Sequence, residues 1–372
     1  MNISYVGPVF DSSGYAEACR NNIAALHKVG ITLNVKPISF EANKTNMGEL
    51  GTLCQSLIGK NPQGKIPIIH CTPENYTNFI SKDMYNIGYA AWETSKLPSV
   101  WPSLINQLSE VWVPSDYNVE VFRNSGITIP IRKIPHAFNI EKKIVGDSLI
   151  QRNNDQEYVF YSIFQWLERK NPIGLLKAYL TEFKKEENVV LVIKTFITDH
   201  GNQSEVARIK VAINDLKTRL YLPSYPRILL LTDLLTSDQV MRLHQDSDCF
   251  VHLARSEGFG IPVVEAQLAG KPVIATNYSG MKELINWKAR TGCPIEYIET
   301  PVHGMPWNIY SGDMVWAEPD LMDARRAMRY VFTHQDEARV IGGIGKKVAE
   351  DSFSWATIGN IMKKRLEEIN GR

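Results

Sequence analysis

Strand-length apolar runs alternate with helical patterns along most of this chain, and no other feature restricts its fold as strongly. Residues 3–6, 67–71 and 87–92 have the composition of buried strands, and residues 15–29 have the apolar periodicity of a helix. Strands that alternate with helices form parallel, doubly wound sheets with helices on both faces. The sequence therefore predicts an α/β protein.

The alternation stops at residues 141–157, which are polar and rich in Asn, Asp and Lys. Such a stretch is typical of an interdomain linker. A second series of strands and helices follows, and 372 residues suffice for two separate cores. We predict one Rossmann-like domain over residues 1–145 and a second over residues 146–354. The C-terminal helix, residues 355–372, is expected to pack back on the first domain.

Charge and cysteine content favour some classes of protein over others. The formal net charge is +1, which gives no strong signal for binding nucleic acid or an acidic membrane. The five cysteines are scattered and odd in number, as in a reduced cytoplasmic protein. No secretory signal is recognisable, and the apolar runs are too short to cross a membrane, which takes about 20 residues. We expect a cytoplasmic location, with peripheral membrane contact left open.

Two glutamates, Glu257 and Glu265, mark the most informative segment. Glu257 comes shortly after an apolar strand pattern at residues 249–254, and Glu265 lies inside the helix pattern that ends at Gly270. Open α/β sheets bind ligands in the crevice at the carboxyl ends of their strands. Two carboxylates at such a crevice can each accept hydrogen bonds from neighbouring hydroxyl groups, so we predict a sugar or ribose ligand.

Three segments around these glutamates resemble a known family. Residues 256–266 (SEGFGIPVVEA), 270–275 (GKPVIA) and 279–284 (SGMKEL) are similar to the donor-binding core of the family-4 retaining glycosyltransferases, the glycosyl transferases group 1. The similarity extends to segments 12–15, 134–136, 169–172 and 353–355, so it covers nearly the full chain. It implies a GT-B fold, in which two Rossmann-like domains face each other across a cleft, with the acceptor side in the first domain.

The resemblance implies a donor site in the second domain. Glu257 and the backbone N–H groups of Gly258, Phe259 and Gly260 are expected to bind the donor sugar. Glu265 is expected to bind the ribose, and Lys170 to neutralise the diphosphate. The remaining donor-binding residues are Ile261 and Val264, which would line the pocket, and Gly14, which would supply an amide from the first domain.

The chain departs from the family pattern at two places. The family's usual arginine, five or six residues before the lysine, is replaced by Gln165 or Phe164, and we expect Arg169 to supply the missing charge. The family's usual histidine after a strand of the first domain is replaced by Glu93. We therefore add Glu93 to Glu257 and Lys170 as predicted catalytic residues. Candidates for the acceptor side are His70, Trp92 and Thr94.

The resemblance predicts a retaining, metal-independent transferase that moves a sugar from a UDP- or GDP-hexose to an acceptor hydroxyl. The nucleotide sugar would be a co-substrate, and no cofactor or metal is expected, since Asp246 and Asp248 precede a strand rather than follow one. The acceptor could be a glycan, a lipid-linked sugar or a small molecule. Two alternatives stay open: a non-catalytic nucleotide-sugar-binding protein, and a transferase that glycosylates a modified nucleic-acid base.

Overall fold

The computed structural model of the chain describes residues 1–39, 48–60, 64–141 and 146–371. Part of the predicted linker, residues 142–145, lies outside the described residues, as does the predicted domain boundary after residue 145 and the last residue of the predicted C-terminal helix. The chain divides into two compact units, one formed by Met1–Lys142 with Ala349–Arg372, and the other by Lys143–Val348.

The N-terminal unit contains a parallel sheet of six strands in the order β2-β1-β3-β4-β5-β6. With elements numbered in chain order, its strands are β1 Asn2–Gly7, β2 Thr32–Pro37, β3 Ile66–His70, β4 Ile87–Tyr89, β5 Glu110–Val113 and β6 Ile131–Lys133. Its helices are α1 Gly14–Lys28, α2 Gly48–Ser56, α3 Trp101–Ile105, α4 Asp116–Asn124 and α11 Trp355–Asn370. Such an order of parallel strands with helical crossovers is the doubly wound arrangement that the alternation predicted.

The C-terminal unit repeats the architecture with the strand order β12-β11-β10-β7-β8-β9. Its parallel strands are β7 Tyr158–Gln165, β8 Val189–Phe196, β9 Arg227–Leu231, β10 Cys249–His252, β11 Val273–Thr276 and β12 Cys293–Ile295. Its helices are α5 Pro172–Glu182, α6 Gln203–Leu220, α7 Ser237–Asp246, α8 Ile261–Leu268, α9 Leu321–Thr333 and α10 Gln335–Phe353, the last of which crosses the division at residue 349. An antiparallel pair, β13 Tyr297–Pro301 and β14 Val315–Pro319, follows the sheet.

Helix α11 packs on α1 inside the N-terminal unit. The contact requires a glycine at position 359, because a Cβ there would lie 2.5 Å from the carbonyl oxygen of Ala25. Ile358, Met362 and Leu366 are fully buried along the same helix. Burial of these apolar side chains, each contributing roughly 1.5–3 kcal/mol, fixes the last helix to the first one.

A buried ion pair accompanies this packing. Glu110, the first residue of β5, is fully buried, and the guanidinium of Arg365 donates to both of its carboxylate oxygens, with Nε–O distances of 3.0 and 3.1 Å. The indole N–H of Trp112 donates to the same carboxylate at 2.7 Å, and the hydroxyl of Tyr85 at 3.3 Å. The carboxylate has several donors, as a buried charge requires.

Two parts of the fold differ from the sequence predictions. The sequence pattern of residues 100–108 predicts a helix of that length, but α3 covers only Trp101–Ile105. The β13–β14 pair was not predicted. Its strands have five residues each, both end in proline, and they are separated by 13 residues, so no short hairpin turn marks the pairing. None of the helices in the described part of the chain is long and apolar enough to cross a membrane.

Candidate functional site

The strand order of the C-terminal sheet locates its ligand crevice. Strand β7 lies between β8 and β10, and the chain runs outward from it to β8 and β9 on one side before returning to β10 and continuing to β11 and β12 on the other. The direction of winding thus reverses between β7 and β10. Ligands of open α/β sheets bind at the carboxyl ends of the strands that flank such a switch point.

The loop after β7 brings two cations to this edge. It continues into the 3₁₀ helix Glu168–Lys170 and then into Asn171, whose backbone is left-handed at φ 53°. Asparagine tolerates this conformation better than most residues, and its side-chain oxygen accepts a hydrogen bond from the N–H of Gly174 at 3.1 Å. The sharp turn and the cap at Asn171 start α5 at Pro172, so Arg169 and Lys170 are held beside the strand end.

The turn after β10 brings the carboxylate of Glu257 to the same place. The backbone N–H of Glu257 donates to the hydroxyl of Ser279 at 2.8 Å, and its carbonyl oxygen accepts from Gly280 at 3.0 Å. Gly260 has φ +108°, a conformation that residues with a Cβ rarely adopt, and it directly precedes α8. A Cβ at residue 280 would lie 2.5 Å from the carbonyl oxygen of Gly258. Both glycines are therefore required by the backbone geometry of this turn.

The Glu257 carboxylate is mostly buried and has three partners. Arg169 Nη1 lies 3.0 Å from Oε2, Lys170 Nζ bonds Oε1, and His252 Nε2 lies 2.8 Å from Oε1. Arg169 also donates to the carbonyl oxygen of Ser256 at 2.8 Å. Burial by itself would raise the pKa of Glu257, but the charges of Lys170 and Arg169 and the hydrogen bond from His252 hold it well below its usual range. Glu257 is thus ionised at neutral pH.

His252 ends β10 and completes this cluster. Burial lowers the pKa of His252, and the hydrogen bond to Glu257 opposes the shift only in part. Because an ionised carboxylate only accepts hydrogen bonds, the neutral ring must carry its proton on Nε2. The other ring nitrogen, Nδ1, is buried and has no hydrogen-bond partner among the described residues. Sequence reasoning did not select His252, although its position at a strand end five residues before Glu257 was a usable signal.

Glu265 lies on α8 with different neighbours from Glu257. Its Oε2 atom is 3.6 Å from Nε2 of His244, whose Nδ1 in turn lies 2.7 Å from the hydroxyl of Tyr161. About a fifth of the Glu265 side chain is exposed (19%). Val264, predicted to line the pocket, is fully buried, whereas Ile261 is half-buried. The structure therefore places the two glutamates in separate clusters on one strand–turn–helix segment.

The remaining predicted site residues lie in the N-terminal unit. Gly14 begins α1, directly after the capping residue Ser13. Glu93 follows β4 by four residues, and its carbonyl oxygen accepts from the hydroxyl of Tyr117 at 3.3 Å.

The three acceptor-side candidates, also in this unit, are buried. His70 Nδ1 lies 2.7 Å from the hydroxyl of Tyr5, and the indole N–H of Trp92 donates to the hydroxyl of Thr94 at 2.7 Å. Their polar atoms therefore have partners within the N-terminal unit.

Comparison with solved structures identifies the class of fold. Over 99–100% of its length, the chain superposes on two solved structures at TM-scores of 0.72 and 0.67. The first is the sucrose-phosphate synthase of Thermosynechococcus elongatus, with 14% identity and 99% of that chain covered. The second is Anabaena Alr3699/HepE in complex with UDP and glucose, with 15% identity and all of that chain covered. The fold is thus that of the GT-B glycosyltransferases, which confirms the predicted fold class.

The similarity in sequence to a family lies in the C-terminal unit. Residues 148–295 match the profile of the glycosyl transferases group 1, which confirms the resemblance to that group. Escherichia coli serotype-specific mannosyltransferase WbdA is 26% identical over 134 residues, 36% of this chain and 13% of that protein. The matched segments span about a quarter or less of the length of the curated relatives.

Proposed function

We propose that the chain is a retaining glycosyltransferase that transfers a hexosyl group from a nucleoside diphosphate sugar to an acceptor hydroxyl. The observation that carries the proposal is the cluster of Glu257 with Arg169, Lys170 and His252 at the switch point of the C-terminal sheet. One carboxylate with two cations leaves a positive charge at the place where a ligand is expected. A diphosphate supplies the complementary negative charge, and the sugar supplies hydroxyl groups for the carboxylate.

Each member of the cluster has a separate task in this proposal. Lys170 and Arg169 stabilise the negative charge that develops on the leaving nucleoside diphosphate. Glu257, held ionised, accepts hydrogen bonds from hydroxyl groups of the transferred sugar. His252 holds the carboxylate in place with its Nε2–H. With cations at the diphosphate position, the reaction is proposed to proceed without a metal ion, and no cofactor is invoked.

The turn between Glu257 and α8 adds backbone donors. Gly258, Phe259 and Gly260 directly precede the first residue of α8, where peptide dipoles favour negative charge. We place the sugar and phosphate oxygens of the donor against these amides, and the ribose against Glu265. This part of the proposal rests on the resemblance of the segment to the family's donor-binding core.

The stereochemical course is proposed from the family resemblance as well. The leaving phosphate would take the acceptor's proton on the same face from which it departs, so that the anomeric configuration is retained. Glu93 is proposed to stabilise positive charge on the sugar or to receive the acceptor's proton. Replacing Glu93 by Gln should then lower turnover at least about tenfold while donor affinity changes little. An unchanged rate would remove Glu93 from the catalytic residues.

The donor is the first property to test. HepE was crystallised with UDP and glucose, which makes a UDP-hexose our first candidate, and WbdA is a mannosyltransferase, which makes a mannosyl donor the second. Thermal unfolding should be followed with UDP-, GDP- and ADP-sugars, since a ligand at 100 times its Kd stabilises the folded state by about 2.7 kcal/mol. The bound donor should then be hydrolysed slowly without acceptor. Binding without hydrolysis or transfer would favour the non-catalytic alternative, and no binding would refute the proposal.

The cellular location is part of the proposal. All five cysteines, Cys19, Cys54, Cys71, Cys249 and Cys293, are free thiols and buried. Free thiols persist where the environment is reducing, so we propose the cytoplasm, where nucleotide sugars would also be at hand. The acceptor is proposed only as a hydroxyl group of a glycan, a lipid-linked sugar or a small molecule.

A further inference from the structure

Arg255 lies between the Glu257 turn and two other segments of the C-terminal unit. It precedes Glu257 by two residues and is buried, with 6% of its surface exposed. Its backbone N–H donates to the carbonyl oxygen of Arg169 at 2.7 Å, and its own carbonyl oxygen accepts from Ala317 on β14 at 3.1 Å. The main chain at residue 255 is thus bonded to the cation-bearing loop on one side and to β14 on the other.

The guanidinium of Arg255 joins the same two segments through two carboxylates. Its Nε donates to Glu318 Oε2 on β14 at 2.6 Å, and its Nη1 lies 3.1 Å from Glu168 Oε1 and also donates to the carbonyl oxygen of Glu168. The group lies over the ring of Trp316, 5.5 Å from its centroid. Only arginine presents several donors in one rigid plane, so a lysine cannot reproduce this set of bonds.

The loop between β13 and β14 contacts Glu168 as well. Gly304 has φ +69°, and a Cβ at this position would lie 2.9 Å from Glu168 Cγ, so the loop backbone approaches the glutamate closely. His303 Nε2 lies 3.5 Å from Glu168 Oε1. Glu168 is therefore held between Arg255 and the loop, and it immediately precedes Arg169 and Lys170 in the chain.

We propose that Arg255 is a positioning residue for the donor site. It holds the 3₁₀ helix Glu168–Lys170 against the β13–β14 pair at the place where the two cations meet Glu257. The β13–β14 pair then acts as the support of the diphosphate-binding loop rather than as a separate surface feature. This inference rests on the proposed function, because it assigns a diphosphate to Arg169 and Lys170.

A positioning role for Arg255 and a general role in stability have different effects on ligand binding. If Arg255 sets the position of the two cations, its loss weakens binding of ligands that carry a diphosphate more than binding of ligands with one phosphate. The ratio of the two dissociation constants is independent of the fraction of folded protein. Lowered stability alone leaves this ratio unchanged.

The experiment compares UDP with UMP, and GDP with GMP, by calorimetric titration of the full chain and of Arg255→Lys. We expect the Kd for the diphosphate of the preferred base to rise about tenfold, the effect of about one charge-assisted hydrogen bond, and the Kd for the monophosphate to change less than about twofold. Glu318→Gln is the second variant, in case Arg255→Lys does not fold. It keeps a neutral acceptor for Nε and should raise the diphosphate Kd about threefold.

Arg227→Lys is the matched control. Arg227 begins β9 at the amino end of the same sheet, and its guanidinium lies 2.7 Å from the carboxylate of the buried Glu157. Like Arg255 it is an arginine paired with a glutamate, but it lies away from the candidate donor site. This variant should leave the ratio unchanged. If Arg255→Lys and Glu318→Gln raise both dissociation constants by one factor, the inference is overturned while the proposed function stands. If the unmodified chain binds neither UDP nor GDP, the proposed function fails and the inference with it.

Discussion

Glu110 and Glu257 are both buried glutamates bonded to arginine, yet they lie at opposite edges of their sheets. Glu110 opens β5 at the amino edge of the N-terminal sheet, whereas Glu257 follows β10 at the carboxyl edge of the C-terminal sheet. The partners of Glu110 come from α11 and from neighbouring strand positions, and those of Glu257 from the loop after β7 and from the end of β10. The residue type and the burial are similar, but the positions differ.

The difference in position separates a structural ion pair, at Glu110, from a candidate ligand-binding site, at Glu257. At the amino edge, the Glu110 carboxylate is bonded to the Arg365 guanidinium and to two neutral donors, Trp112 and Tyr85, and the half-exposed Arg132 lies 3.9 Å from it. At the carboxyl edge, two cations and a histidine meet one carboxylate beside a switch point. Burial and pairing of a glutamate therefore do not indicate function by themselves. The edge of the sheet does, because ligands of open α/β sheets bind at the carboxyl ends of the strands.

The largest effect is expected at the amino edge. Arg365→Met leaves the buried Glu110 carboxylate with only the half-exposed Arg132, 3.9 Å away, as a cationic neighbour. Loss of one partner of a buried pair costs about 3–5 kcal/mol. Urea unfolding should show this loss, while sugar transfer per folded molecule stays normal. The double variant Glu110→Leu with Arg365→Met should recover part of the stability, but not all, because Trp112 and Tyr85 lose their acceptor. A stable but inactive Arg365→Met protein would contradict the structural role.

The corresponding change at the carboxyl edge should act on the reaction. Glu257→Gln keeps the size of the side chain and removes the charge that holds Lys170, Arg169 and the sugar hydroxyls. We expect the transfer rate, normalised to the folded fraction, to fall about 10²–10³-fold, the range measured when one donor of an oxyanion hole is removed. Glu110→Gln is the matched control and should retain the normalised rate. Equal normalised rates for Glu257→Gln and Glu110→Gln would contradict a role in the reaction for Glu257.

Acid should weaken the N-terminal unit through His136. Burial lowers the pKa of His136 from its ordinary 6.5 to about 3. Between these values the unfolded chain binds a proton that the folded chain does not, so the free energy of unfolding falls as the pH falls. The slope from this group should be roughly 1 kcal/mol per pH unit. Urea unfolding at pH 7, 6 and 5 should show a shallower decline in His136→Phe; parallel curves would exclude this contribution.

The smallest effect is expected at Glu265. It is more exposed than Glu257 and has only His244 near its carboxylate in the described part of the chain, so it should contribute to affinity more than to rate. Glu265→Gln should raise the Kd for the nucleoside diphosphate about tenfold, and less for the 2′-deoxyribose analogue if Glu265 binds the ribose. Equal losses for ribose and deoxyribose ligands would assign it to the support of α8 instead.

Local sequence patterns predicted the helices and strands better than they predicted which residues and strands contact each other. The apolar pattern of residues 158–163 predicts a strand, and the pattern that ends at Gly270 predicts a helix, each from residues close in sequence. The structure has β7 at Tyr158–Gln165 and α8 at Ile261–Leu268. The segment around Glu257 resembled a family and thereby indicated Lys170, 87 residues away. The roles of His252 and Arg255 were missed because their hydrogen bonds depend on how strands and loops meet in three dimensions. The β13–β14 pair was missed because its two strands carry no short turn between them.

The bond between Arg365 and Glu110 also imposes an order on folding during synthesis. Domains generally fold as units while the chain emerges, the N-terminal one first. Here the residues that complete the N-terminal unit, including Arg365 and Gly359, are made only after the whole C-terminal unit. Until then Glu110 lacks its bonds to Arg365, and α1 lacks its covering helix. The N-terminal unit is therefore begun first and completed last. Until α11 is made, the apolar face of α1 would be exposed to the ribosome and to chaperones.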